Sequence, residues 1–198
     1  MYPVAPVTRA RAASLIGSVW GRRDRRAIGH RASRAGHLEA PDHEGVDEHA
    51  ARHDDGKLGV LADADLPRVA HLAVRGRFLN AGQSCISPKR FIVEAAVAEE
   101  FTPLVIEETL RLNVGDPEKP GTDVGPMARR DLRDQVAAQV RAAVAAGATV
   151  LCGGDPRDDL GGFFYPPTVL GDVTPAVSVY REEVFGPVAA IITVADAD

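Results

Sequence analysis

The sequence predicts an α/β fold in which a largely parallel sheet is flanked by helices. From Leu58 onward, segments with apolar residues at helical spacing alternate with short runs of β-branched and aromatic residues. Strands that alternate with helices in this way are typical of parallel βαβ units. The 198 residues are 45% hydrophobic and 26% charged, a composition typical of one domain with a buried core.

The first predicted helix covers residues 66–79. Asp65 precedes it and is a suitable N-cap, because a carboxylate oxygen can accept a hydrogen bond from the first turn. A polar turn that contains Gly82 follows the helix. The run of β-forming residues over 89–93 then predicts a short strand.

Two further helices are predicted downstream. Apolar residues at helical spacing predict one helix over 98–112, with Pro103 in its first turn, where a missing N–H is tolerated. The second predicted helix covers residues 128–146 and ends at Gly147, which is a good C-terminal stop. Short runs of β-forming residues predict the remaining strands at 149–152, 163–165, 168–170 and 188–194.

Residues 1–57 differ in composition from the rest of the chain. They are rich in arginine, contain five of the six histidines, and show no apolar periodicity beyond Gly21. Such a segment cannot bury enough apolar surface to offset its ordering entropy, so we expect it to be disordered or loosely attached. His49 and His53 are four residues apart, but no third ligand completes a site, and we predict no metal.

Charge and hydropathy exclude several classes of partner. The net charge of -5 gives no reason to expect nucleic-acid binding. No apolar run reaches the roughly 18–20 residues of a membrane helix, and the first residues lack the layout of a signal peptide. Two cysteines in a chain of this length fit a reducing cytoplasm better than a disulfide scaffold.

Residues 78–85, Phe-Leu-Asn-Ala-Gly-Gln-Ser-Cys, place a cysteine at the end of the polar turn. Gly82, Gln83 and Ser84 do not build a core, which argues against an inert buried thiol at Cys85. A glycine-containing turn also lets a main-chain N–H approach a developing oxyanion. We therefore predict that Cys85 is a nucleophile, whereas Cys152, within a predicted strand, is expected to be a packed core thiol.

The spacing Asn-x-Gly-Gln-x-Cys resembles the nucleophile motif of the aldehyde dehydrogenase superfamily, with Cys85 in the catalytic position. Within the motif, Asn80 and Gln83 are expected to build the turn. Further segments resemble the catalytic domain of that family in the same order: 89–91, 115–117, 124–127, 165–170 and 182–187. The resemblance covers residues 58–198, so the fold it implies is an incomplete aldehyde dehydrogenase catalytic domain. The octet looks most like bacterial succinate-semialdehyde dehydrogenases, although Leu79 stands where some of those enzymes carry an arginine.

The resemblance implies an oxidoreductase that converts an aldehyde, for instance a semialdehyde, to a carboxylic acid with NAD or NADP. In such enzymes Cys85 would attack the aldehyde to give a thiohemiacetal, hydride would pass to the cofactor, and water would hydrolyse the thioester. Glu183 and Phe185 match the family positions that contact the nicotinamide ribose and flank the nicotinamide ring. The implied partner is a small-molecule aldehyde, and the family forms homo-oligomers through a strand absent from this chain.

Other parts of the family pattern have no counterpart in residues 1–57. These are the side-chain oxyanion donor, the lysine at the adenosine ribose and the glutamate that activates the hydrolytic water. An Arg/His/Gly/Ala-rich segment directly before a family match is typical of out-of-frame translation, which is our expectation for residues 1–57. The alternative function is therefore an inactive truncated fragment or a non-catalytic interaction module.

Overall fold

A computed structural model describes residues 53–54 and 56–195 of the chain. Its strands are β1 His53–Asp54, β2 Lys57–Val60, β3 Arg90–Glu94, β4 Thr149–Cys152, β5 Thr168–Gly171 and β6 Val188–Val194. Its helices are α1 Leu66–Phe78, α2 Ala95–Leu110 and α3 Arg130–Ala145. The expectation for residues 1–57 lies outside the described residues, apart from 53–54, Gly56 and Lys57.

The six strands form one mostly parallel sheet in the order β1-β2-β3-β6-β5-β4. The pairs β2–β3, β3–β6 and β5–β6 are parallel, whereas β1–β2 and β4–β5 at the two edges are antiparallel. Burial is greatest on the central strands, as in β6, where the first five residues are buried. The α/β prediction with a largely parallel sheet is confirmed.

Helix α1 begins as the sequence indicates. The Asp65 carboxylate accepts a hydrogen bond from the Arg68 N–H at 3.2 Å, which confirms the predicted N-cap. Phe78 at the end of the helix is buried, but Leu72 is exposed. Helix α1 packs against α2, and none of the helices among the described residues is long and apolar enough to cross a bilayer.

Helix α2 differs from the prediction. It begins at Ala95, directly after β3, so Pro103 lies in the helix interior and not in the first turn. A proline at that position cannot donate to the Glu99 carbonyl and costs about 3 kcal/mol. The helix continues through it because Phe101 and Val105, on either side, are fully buried in the core. Tertiary packing therefore outweighs the local preference.

The predicted strand at 163–165 is wrong. These residues are not in a strand, because their hydrogen bonds go to loops. The Phe163 carbonyl accepts from the Met127 N–H at 2.9 Å, and the Tyr165 hydroxyl donates to the Gly154 carbonyl at 2.7 Å. By contrast, the helical stop at Gly147 is confirmed, with a φ of 108° directly after α3.

Helix α3 presents Val136, Val140 and Ala143 to the core. Its side chains also reach the loop that precedes β6, because Gln139 Nε2 donates to the Glu183 carbonyl at 3.1 Å. A Cβ atom on Gly186 would crowd Val136. The helix therefore supports the loop that carries Glu183 and Phe185 from one side.

We predict that Gly153→Ala destabilises the fold more than Gly121→Ala. Both glycines have positive φ, at 73° and 87°, so alanine is strained at each. Only at Gly153 would the new Cβ overlap the Pro167 carbonyl and Thr168, whereas nothing lies within 4 Å at Gly121. We expect an extra loss of about 1–3 kcal/mol in the free energy of unfolding for Gly153→Ala, measured by urea denaturation. Equal losses in the two variants would contradict this.

Candidate active site

The two loops predicted to carry the chemistry meet at the amino ends of the central strands. Strands β3 and β6 are parallel neighbours, with Arg90 paired to Ala190. Cys85 lies five residues before Arg90, and Phe185 lies five residues before Ala190. The register therefore brings both loops to the same edge of the sheet. Ligands of open α/β sheets usually bind at the opposite, carboxyl edge.

The turn that ends at Cys85 is wound in a left-handed conformation. Asn80, Ala81 and Gly82 have φ values of 52°, 52° and 69°. Asparagine and glycine tolerate this region, but alanine pays about 1–2 kcal/mol for it. Asn80 Nδ2 donates to the Gln83 carbonyl at 3.1 Å, and Gln83 Nε2 donates back to the Asn80 carbonyl at 3.2 Å. The two motif side chains thus hold the turn closed.

The same turn is tied to the chain before α3. Gln83 Oε1 accepts a hydrogen bond from the Ala128 N–H at 3.0 Å. The Gln83 amide therefore joins the nucleophile turn to a segment 45 residues away. Its donor and its acceptor atom both bond to main-chain groups, so the Gln83 side chain positions the turn.

Gly82 sits against the other loop. A Cβ atom at this position would overlap the Gly186 carbonyl and approach Pro187 Cα at 2.9 Å. Only a residue without a side chain permits this separation of the two main chains. The glycine of the motif is therefore required by the contact between the loops as well as by its positive φ.

Arg77 is completely buried at the end of α1, between the two loops. It donates five hydrogen bonds, to Val188 O at 2.6 Å, Ser87 Oγ at 2.9 Å, Val184 O at 3.0 Å, Gly82 O at 3.2 Å and Gly186 O. A guanidinium has five N–H groups, and here each of them has an acceptor. Burial lowers the pKa of Arg77 to about 9, which the nearby Glu183 carboxylate opposes. The side chain remains charged at neutral pH.

Lys89 binds the main chain of the nucleophile loop. Its Nζ donates to the carbonyl oxygens of Cys85 at 2.9 Å, Ser87 at 3.1 Å and Ser84 at 3.2 Å. The same nitrogen lies 3.1 Å from Glu183 Oε1. The Lys89 side chain is 7% exposed and that of Glu183 is 54% exposed. One ammonium therefore contacts both the cysteine loop and the loop before β6.

Arg90 adds a third basic clamp. Its guanidinium donates to the carbonyl oxygens of Arg181 at 3.0 Å, Val179 at 3.4 Å and Glu182 at 3.4 Å. These bonds fix the chain just before Glu183. Together the three basic side chains hold the site mainly through main-chain oxygens, with two side-chain contacts, from Arg77 to Ser87 Oγ and from Lys89 to Glu183.

Cys85 is exposed at this junction and its thiol is unpaired. Among residues 53–54 and 56–195, no atom accepts a hydrogen bond from the Cys85 main-chain N–H. Leu79 and Ile86 on either side are exposed apolar side chains, and Phe185 is exposed on the neighbouring loop. The junction thus presents a thiol, a carboxylate and apolar side chains to a ligand.

Cys152 is a different kind of cysteine. It is buried in β4, where burial raises the pKa of its thiol to about 12 and a backbone hydrogen bond from Val169 opposes that shift. A thiol that stays protonated is a poor nucleophile. The prediction that Cys152 is a packed core residue is confirmed.

A large cavity among the described residues lies elsewhere. It has a volume of about 960 Å³ and is bordered by the loops at 113–122 and 160–164. None of Cys85, Glu183 or Phe185 lines it. We place the candidate site at the junction of the two loops and not in this cavity, because no cysteine lines the cavity.

Arg77, Lys89 and Arg90 are not among the residues that the sequence predicts to form the site. A signal for Arg77 was present, because it follows Ala73 and Val74 by four and three residues and so lies on the buried face of α1. A charged residue on an apolar helix face must find partners, and here they are carbonyl oxygens. No comparable pattern marks Lys89 or Arg90.

Comparison with known proteins identifies the family of the chain. Residues 56–198 match the sequence model of the Aldehyde dehydrogenase family. A succinate-semialdehyde dehydrogenase [NADP(+)] of Mycobacterium avium (strain 104) is 50% identical over 139 residues, which are 70% of this chain and 29% of that protein.

Solved structures show the same relationship. The succinate-semialdehyde dehydrogenase of Burkholderia pseudomallei is similar with a TM-score of 0.67 and 33% identity over 70% of this chain and 28% of that one. The NAD-dependent aldehyde dehydrogenase of Sinorhizobium meliloti has a TM-score of 0.68 and 36% identity over 71% of this chain and 28% of that one.

The extent of these matches defines what they establish. The chain spans about 29% of the length of the curated relative from M. avium. The family match nevertheless covers every residue from β2 to the end of β6, and with it the whole of the described site. The chain belongs to the aldehyde dehydrogenase family.

Proposed function

We propose that this chain carries the nucleophile and the nicotinamide-contacting loop of an NAD(P)-dependent aldehyde dehydrogenase. The observation that supports the proposal best is the exposed Cys85 thiol, on a strained turn that Arg77 and Gly82 hold against the loop of Glu183 and Phe185. A nucleophile and a cofactor must be adjacent for hydride transfer, and this arrangement supplies that adjacency.

Cys85 acts as the nucleophile. Its thiolate forms a C–S bond with the aldehyde carbon, and the carbonyl π electrons move to oxygen to give an oxyanion. The Cys85 main-chain N–H has no acceptor among the described residues, so it can donate to that oxyanion. The Lys89 ammonium, bonded to the Cys85 carbonyl at 2.9 Å, keeps the peptide in place.

The residues of the second loop fit a nicotinamide nucleoside. Glu183 offers an exposed carboxylate to ribose hydroxyls, and Phe185 offers an exposed ring to a flat heterocycle. The chemistry that NAD or NADP supplies when bound is acceptance of a hydride, which leaves a thioester on Cys85. We assign no described residue to the hydrolysis of that thioester.

For the substrate we propose an aldehyde of the semialdehyde class, on the basis of the M. avium relative and its printed activity. Leu79, at the start of the turn that leads to Cys85, is apolar and exposed, so it supplies contact area and no cation for a carboxylate. Both cysteines are unpaired thiols, which supports a reducing compartment such as the cytoplasm.

The first prediction concerns the reactivity of Cys85 in the 198-residue chain. We expect p-nitrophenyl acetate to transfer one acetyl group to Cys85 and to release one equivalent of p-nitrophenolate, because the thiol is exposed. Intact-mass and peptide mass spectrometry measure the product. Cys85→Ala should abolish the label, whereas Cys152→Ala should retain it, since the Cys152 thiol is buried with its pKa raised to about 12.

Two results would count against this assignment. One is acetylation at Cys152, and the other is full labelling of Cys85→Ala. A non-catalytic interaction module would give slow acetylation of Cys85 with the rate of a small free thiol. The acetylation rate of Cys85 is therefore compared with that of free cysteine at the same pH. A faster rate favours the enzyme nucleophile, and an equal rate favours the interaction module.

The second prediction concerns Glu183 and Phe185. Nicotinamide mononucleotide, the half of the cofactor that these residues would contact, should shift the NMR signals of the loop that precedes β6. Glu183→Gln should weaken binding about tenfold, which is the loss of a hydrogen bond to a charged group. Glu182→Gln is the matched control, because Glu182 is an equally exposed neighbour. Equal weakening in both variants would show a general charge effect instead.

A further inference from the structure

The Lys89 ammonium has more acceptors than protons. An ammonium carries three N–H groups. Four oxygens lie near Nζ, the carbonyls of Ser84, Cys85 and Ser87 at 2.9–3.2 Å and Glu183 Oε1 at 3.1 Å. One acceptor is therefore surplus, and one of the four can leave without costing Lys89 a hydrogen bond.

The acceptor that can leave is Glu183. The three carbonyls belong to a loop with further anchors besides Lys89 Nζ: Ser87 Oγ donates to the Arg77 carbonyl at 3.1 Å, and the Lys89 N–H donates to Gly56 O at 2.7 Å. Glu183 is a long side chain that is 54% exposed. Rotation about its side-chain torsions moves the carboxylate into solvent without any change in the main chain.

We propose that Lys89 is a positioning residue with two functions. It holds the cysteine loop by its three carbonyls, and it retains the Glu183 carboxylate as an exchangeable fourth ligand until a ligand takes that carboxylate. When Glu183 turns to ribose hydroxyls, the three remaining acceptors match the three protons of the ammonium, so the cysteine loop keeps its geometry. The identity of that ligand rests on the proposed function, but the exchange itself does not.

The physical consequence is that release of Glu183 and loss of the cysteine-loop geometry are separate events, although both involve Lys89. An ion pair with an exposed partner contributes little, because water competes for both charges. Hydrogen bonds from a buried ammonium to carbonyl oxygens contribute more, because water competes less for groups that are buried. Departure of Glu183 therefore perturbs the loop weakly. Loss of the ammonium removes a donor from each of the three carbonyls, of which Ser84 O keeps the Ser87 N–H.

The test is side-chain NMR of the full chain labelled with ¹⁵N-lysine. The chain has three lysines, Lys57, Lys89 and Lys119. Ammonium protons that are buried and bonded exchange slowly with water, so Lys89 should give the one persistent signal. Lys57 and Lys119 are exposed and should exchange rapidly. In Glu183→Gln the Lys89 signal should persist, because its three carbonyl acceptors remain.

Amide exchange gives the second readout, at the Ser87 N–H, which donates to Ser84 O at 3.3 Å. Lys89→Met should accelerate its exchange about tenfold, and Lys89→Arg, which keeps charge and donors, should restore protection. Lys119→Met is the matched control and should change nothing. Faster exchange throughout α3 would mark a global loss of stability in Lys89→Met. In that case the results for Lys89→Arg and Glu183→Gln decide whether the ammonium holds the loop.

Two outcomes would overturn the inference. Loss of the Lys89 ammonium signal in Glu183→Gln would show that the carboxylate is an essential ligand and not an exchangeable one. Unchanged Ser87 exchange in Lys89→Met, or failure of Lys89→Arg to restore a lost protection, would show that the ammonium does not hold the loop. No cofactor is present in these experiments, so they can fail while the acetylation and nucleotide-binding results stand, and the reverse is equally possible.

Discussion

The site depends on one buried guanidinium. Arg77 reaches from the end of α1 to oxygen atoms on both sides of the nucleophile turn and along the loop before β6. A charge in the core is costly unless every donor is satisfied, and all five N–H groups are. The same bonds that compensate its burial hold the two loops together. Stability and site geometry are therefore one set of interactions.

The local features of the fold could be predicted from the sequence. The Asp65 cap, the stop at Gly147 and the strands at 149–152 and 188–194 depend on neighbouring residues, and the structure has them within a residue or two. The predictions for Pro103 and for the segment at 163–165 were wrong because neighbouring residues do not decide these conformations. Their conformation is decided by burial in the core and by hydrogen bonds to distant loops.

The same distinction between local and distant interactions applies to the site. The motif around Cys85 is local, and so the turn and its exposed thiol were predictable from the residues. The contacts that aim the turn are not local, because Arg77 bonds carbonyls 107 to 111 residues away and Gln83 bonds Ala128. These partners bond through main-chain atoms, so their side chains do not mark them in the sequence. Only the parallel pairing of β3 with β6 brings these atoms within reach.

Recognition through main-chain oxygens separates what can vary from what cannot. Arg77, Lys89 and Arg90 bind mainly main-chain carbonyls, apart from the contacts of Arg77 with Ser87 Oγ and of Lys89 with Glu183. Substitutions at the exposed positions Leu79 and Ile86 can therefore alter the preference of the site during divergence while its scaffold persists. A deletion or insertion between 182 and 188 would shift the carbonyls of Val184, Gly186 and Val188 relative to one another and to Arg77. In this segment the hydrogen bonds constrain the length, and they leave the composition open except where Gly186 packs against Val136.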